Sequence, residues 1–240
     1  MLFILIRRIR HGETVGEIQF PGSGNPIGQN GGGTLQGKGK YIFFFMLGFL
    51  CFAVAQPLLR LPLLQMLQQT TGFTMAYITN PLLCGVLVAL TAGIFEETFR
   101  FLFKAIFMKP ARSTIRQPIL FGLGHGISEV CVMLYPVIPT ISMFTLDQLS
   151  IVFAERIMAL TLHVSLTIMV WNGFQRGRKA ACLLSAILVH GLADALIPII
   201  SSFSTSVSMI EGAIAVVATG MVVYAYHSRK YYLKEENQGV

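Results

Sequence analysis

A chain of 240 residues has room for one or two domains, and 54% hydrophobic residues with a mean hydropathy of +0.66 exclude an ordinary soluble domain. The net charge of +7 comes from basic residues spread over short loops between apolar runs, the pattern of a membrane protein and not of a nucleic-acid binder. Cys51, Cys84, Cys131 and Cys182 all lie in apolar stretches without a CxxC pair, so neither a disulfide scaffold nor a thiolate metal site is indicated.

Residues 1–11 open with five apolar residues after Met1 and then Arg7 and Arg8, too few for a signal-peptide core. They read as a stub or a short interfacial helix. The Gly-rich residues 21–39 read as a flexible linker. GGTLQGKG within it approaches a P-loop, but Gly39 follows Lys38 where Ser or Thr is needed, and no strand precedes it. Residues 1–40 are therefore stub and linker, 41–227 a transmembrane domain with its core at 81–200, and 228–240 a charged tail.

Six apolar stretches follow, roughly 41–67, 81–108, 118–138, 148–172, 180–200 and 208–227, each near the ~20 residues that cross a bilayer. Pro57, Arg60 and Pro62 predict a kink or an early end to the first. Basic residues alternate across the stretches. Arg7, Arg8, Arg10, Lys38 and Lys40 precede the first; Lys109, Arg112 and Arg116 follow the second. Arg176, Arg178 and Lys179 follow the fourth, and Arg229, Lys230 and Lys234 the last. The loops around 68–80, 139–147 and 201–207 contain no lysine or arginine. The positive-inside rule then puts both termini in the cytoplasm.

Ionisable groups inside apolar helices are costly and are kept where they have work to do. The second stretch carries Glu96, Glu97, Arg100 and Lys104; the third, His125 and Glu129; the fourth, Glu155, Arg156 and His163; the fifth, His190 and Asp194. The pairs in HGISE and HGLAD are four apart and share a helix face, and the glycines beside them allow close backbone approach. Turning the four stripes to one interior cavity satisfies them together, with Glu96, His125, His163 and His190 at one level in the inner half of the membrane and Glu155 and Arg156 deeper, toward the outer side. Such a set supplies base, orienter and oxyanion donor for attack of water on an amide. Neither Ser128 nor Ser165 has the setting of a nucleophile.

Structural readings stand beside these. Arg100 with the two glutamates can be a buried ion pair, and Glu155 and Arg156 can pair helices. Lys104 is expected to snorkel to the inner interface, Arg60 to be interfacial, and Glu211 to lie at the outer boundary.

The motifs Glu96-Glu97…Arg100, Phe121…His125 and His190…Asp194, in this order, resemble the CAAX-protease and bacteriocin-processing superfamily of intramembrane proteases. The stretches TAGIFEETFR, FGLGHGISE and ERIMALTLH look closer to the YhfC-like membrane peptidases within it. The resemblance spans roughly 85–200. It implies that Glu96 with His125 activates water, that His190 and Asp194 form the oxyanion site, and that Arg100 holds the glutamates. Glu129, Glu155 and His163 belong to the YhfC-like variant. The superfamily's usual EExxxR is here one residue shorter, which rotates Arg100 by about 100° against the glutamates.

The expected fold is an all-α integral membrane bundle of about six helices around a polar cavity, in the cell membrane. The expected function is an intramembrane protease in which a glutamate-activated water cuts a membrane-embedded or lipidated peptide. With no HExxH or thiolate cluster, no cofactor is favoured; zinc, held by His125, His163 and His190, is the alternative. The expected partners are the lipid bilayer and the peptide, with no nucleic acid. The rival functions are a non-catalytic scaffold or immunity-type factor and a proton-coupled transporter. An inverted-repeat transporter should show two similar halves, and HGISE against HGLAD is the sole echo.

Overall fold

The computed structural model describes residues 32–108 and 113–233. By its internal contacts the chain divides into Met1–Leu35 and Gln36–Val240. The first unit contributes only the opening residues of α1 to the described set; the second holds everything that follows. The stub at 1–11, the first part of the linker and the end of the tail lie outside the described residues.

The described chain is helical throughout. Helix α1 (Gly32–Ala53) runs into a π-helical turn, Val54–Arg60, and on into α2 (Leu61–Gln68). A short α3 (Thr71–Thr79) precedes α4 (Pro81–Phe107), α5 (Arg116–Leu134), α6 (Leu146–Arg176), α7 (Lys179–Ser201) and α8 (Val207–Ser228). Six helical segments are long and apolar enough to cross a membrane: Tyr41–Gln68, α4, α5, α6, α7 and Val207–Tyr231. The chain is a multi-pass membrane protein.

Local signals set the boundaries. Pro81 opens α4, where a missing N–H costs nothing. Thr145 and Gln148 form a capping box at the start of α6, and Gly177, at φ 69°, closes it in the left-handed conformation. Thr70 caps α3 and Ser206 caps α8. Three expectations need correction. The first stretch does not end early at Pro57: the helix widens into a π turn around the proline and continues to Gln68. The linker is helical from Gly32 on. The loop at 68–80 holds α3.

Helix α4 packs most extensively on α7, and α6 packs on α5, α7 and α8. Glycines make the closest crossings. A Cβ on Gly124 of α5 would stand 1.9 Å from the Phe45 carbonyl oxygen of α1, and one on Gly48 equally close to that of Phe121. A Cβ on Gly93 of α4 would lie 2.6 Å from the Ile187 carbonyl oxygen of α7. Small residues let membrane helices approach in this way. Both crossings lie within a turn of an ionisable residue, His125 or Glu96, so they draw the polar stripes together. Below them Trp171, Phe121, Leu166 and Val170 form an apolar core. Leucines and isoleucines such as Ile42, Leu83, Ile106, Leu188 and Ile197 cover the outside.

Candidate active site

Consecutive residues on a helix point about 100° apart, so Glu96 and Glu97 of α4 face different partners. Glu97 is gripped by Arg100, whose Nη1 donates to both carboxylate oxygens at 2.6 and 2.7 Å. It also accepts from His190 Nδ1 at 2.7 Å. Glu96 instead meets His125 Nε2 at 2.9 Å and accepts from the Gln56 amide. Glu96, Glu97, Arg100, His125, His163 and His190 are all buried.

The histidines converge on one atom. Glu96 Oε2 lies 2.9 Å from His125 Nε2, 3.8 Å from His163 Nδ1 and 3.9 Å from His190 Nε2. Their other nitrogens fix the tautomers. Arg100 Nη2 donates to His163 Nδ1 at 3.2 Å, so that nitrogen carries a lone pair and Nε2–H donates to Glu129. His190 Nδ1–H donates to Glu97, leaving Nε2 turned inward, 3.8 Å from Asp194. His125 is packed edge-on against Phe52 at 5.3 Å, and its Nδ1 has no partner among the described residues.

The stripes of α4, α5, α6 and α7 thus meet, as their spacing predicts, but their partners lie across helices. Glu129 does not pair with His125 of its own helix; it accepts from His163 and from Arg156, the latter at 3.3 Å. Glu155 reaches the cluster only through Arg156. Asp194, with its side chain 39% exposed, stands at the edge.

Two cations have partners that their chain positions do not suggest. Lys104 does not reach an interface. It is buried, with Nζ 4.2 Å from the Trp171 ring centroid, where a π face replaces water around the ammonium. Arg60 is half-buried and joins the hydrogen bonds of the site. It donates to Gln56 Oε1 at 3.0 Å, to Thr91 at 2.9 Å and to the Val88 carbonyl at 2.8 Å. Gln56 is the site residue that motif reading passes over. Its one signal is an amide four residues before an arginine in an apolar stretch.

The donor set fits a metal. Glu96, His125 and His163 each offer a ligand atom, all within 4.8 Å of one another. One carboxylate with two imidazoles is a catalytic zinc set. A ligating histidine usually gives its other N–H to a carboxylate, as His163 gives its own to Glu129; the Nδ1 lone pair that here accepts from Arg100 would turn to the metal in place of that hydrogen bond. The absence of HExxH does not count against this, because the ligands come from three helices and no local motif records them.

A family model described as YhfC intramembrane metalloprotease matches residues 38–149 and 132–219. The chain belongs to this family. The match takes in every helix that contributes to the cluster, from Gln56 to Asp194. No curated protein and no solved structure matches the chain. The YhfC description favours metal chemistry over the metal-free mechanism expected from the missing motifs.

Proposed function

We propose that this YhfC chain is a metal-dependent intramembrane peptidase that cuts a membrane-embedded or lipidated peptide. The convergence of three imidazole nitrogens on Glu96 Oε2 carries the reading. Glu96, His125 and His163 would hold a divalent cation, zinc by the chemistry of the donors. Such an ion, when bound, polarises a carbonyl and makes water a nucleophile near neutral pH.

The remaining residues move protons and hold positions. His190 has the arrangement of a general base: a carboxylate fixes Nδ1–H and leaves Nε2 facing the ligand cluster. It takes the proton of the attacking water and returns it to the leaving amide nitrogen. Arg100 holds Glu97 in place for that task. Asp194 links His190 to the exposed edge. Arg156 and Glu129 orient His163.

The order of the three motifs supports a place within the CAAX-protease superfamily. The alternation of basic loops supports cytoplasmic termini and a cell-membrane location, with cleavage toward the cytoplasmic side.

The test is zinc content and peptide cleavage of the protein purified in detergent, with and without a chelator. One zinc per chain is expected, lost together with cleavage in His125→Ala. Cleavage undiminished after complete metal removal would return Glu96 to the role of a metal-free base. A wild type that cleaves no membrane peptide, with Glu96→Gln still complementing a deletion in cells, would leave the scaffold reading in its place.

A further inference from the structure

Glu96 is held on its second oxygen by a residue of a different helix. Gln56 is buried in the π-helical turn of Val54–Arg60 and donates its amide N–H to Glu96 Oε1. An amide side chain can present either its oxygen or its nitrogen, and only the nitrogen can donate to a carboxylate. Arg60, four residues on, decides which. Its Nη1 donates to Gln56 Oε1 at 3.0 Å, so that oxygen is engaged and the NH2 group is turned to Glu96. Arg60 is itself pinned to α4 by Thr91 Oγ1 at 2.9 Å and the Val88 carbonyl at 2.8 Å. The chain of contacts runs from α4 through Arg60 and Gln56 and returns to α4 at Glu96.

The local backbone makes this possible. Pro57 has no N–H to give, and the extra residue of a π turn shifts the helix face next to it. Single π turns are frequent at functional sites. With Oε1 committed to Gln56, Glu96 keeps Oε2 as the oxygen facing His125, His163 and His190.

We propose that Gln56 is a positioning residue for the cation site, oriented by Arg60, and that the first membrane segment, Tyr41–Gln68, thereby belongs to the active centre. The proposal rests on the metal reading above for its first readout. An outer hydrogen-bond partner of a metal ligand is typically worth ~10–100-fold in metal affinity.

The experiment measures zinc affinity, by competition with a chromophoric chelator, for wild type, Gln56→Met, Arg60→Ala and the double variant, each checked for folding by thermal melting. Methionine keeps the volume of glutamine and removes the donor. Gln56→Met is expected to weaken zinc ~10–100-fold. Arg60→Ala is expected to weaken it less, and to add nothing in the Gln56→Met background, because Arg60 acts through Gln56. A residue that only packs the π turn against α4 would move the melting temperature and leave the zinc affinity of the folded protein unchanged. Unchanged affinity in Gln56→Met, or full additivity of the two substitutions, overturns the proposal. A wild type that binds no zinc sinks the metal reading alone. Gln56 is then judged by cleavage: a tenfold or greater fall in kcat at unchanged KM in Gln56→Met supports it, and an unchanged kcat overturns it.

Discussion

Arg100 closes on Glu97 and leaves Glu96 to the imidazoles: one guanidinium nitrogen stands 2.6 and 2.7 Å from the two Glu97 oxygens, while the nearest imidazole nitrogen is 2.9 Å from Glu96. Neighbouring glutamates therefore have separate partners, one in an ion pair and one in the imidazole cluster.

Substitution should separate the two. Glu96→Gln keeps shape and hydrogen bonding but removes the anionic ligand, so it should lose zinc and cleavage while the protein still melts cooperatively near the wild-type temperature. Arg100→Ala leaves a buried carboxylate unpaired and should cost ~3–5 kcal/mol. Parallel melting and zinc titrations check this, and a Glu96→Gln protein that binds zinc as wild type does contradicts the ligand assignment.

Among the described residues Glu129 hydrogen-bonds to one of the proposed ligands, accepting from His163. Glu129→Gln should therefore weaken zinc by ~10–100-fold without abolishing it, since it alters the partner of a ligand and not the ligand. Glu155→Gln, one residue further out on Arg156, should have a smaller effect. Isothermal titration of the two variants gives the order; an equal loss in both would contradict it.

The crossing of α1 and α5 at Gly124 admits no side chain, because a Cβ there meets the backbone of Phe45 and not a flexible end. Gly124→Ala should destabilise by ~1–3 kcal/mol or more, and it should lower activity through displacement of the neighbouring His125. Thermal melting in detergent measures the first effect. A variant as stable as wild type would mean that α1 does not press on α5 there.

Orientation follows from loop charge. Single cysteines at Gln69 and at Arg178, in a background without the four native cysteines, should react with an impermeant thiol reagent from opposite sides of sealed vesicles. Labelling of both from one side is incompatible with cytoplasmic termini and an even number of crossings.

Much of this was legible before any fold was known. Charged residues inside apolar stretches stand out against a lipid background, and spacing by four places them on a common face, so Glu96, His125, His163 and His190 could be named together. What spacing does not give is the partner. His125 and Glu129 share a face yet bond to other helices, since in a bundle the nearest polar atom at that depth usually sits on a neighbour. Gln56 lies 40 residues from Glu96 and is neutral, so its only local mark is the arginine four residues on, and nothing in the sequence ties it to Glu96. Lys104 departs from the expected position because a flexible stem ordinarily carries its charge outward, whereas here the aromatic face of Trp171, from a helix distant in sequence, receives it.

Gln56, Glu96, His125, His163 and His190 come one from each of five successive membrane-crossing segments. During synthesis the centre is therefore incomplete until the segment bearing His190 has left the ribosome and entered the bilayer. A nascent chain that stalls earlier carries buried carboxylates without their full complement of imidazoles. Quality control that senses unpaired charge in the membrane would find such a chain, and the finished protein would escape it.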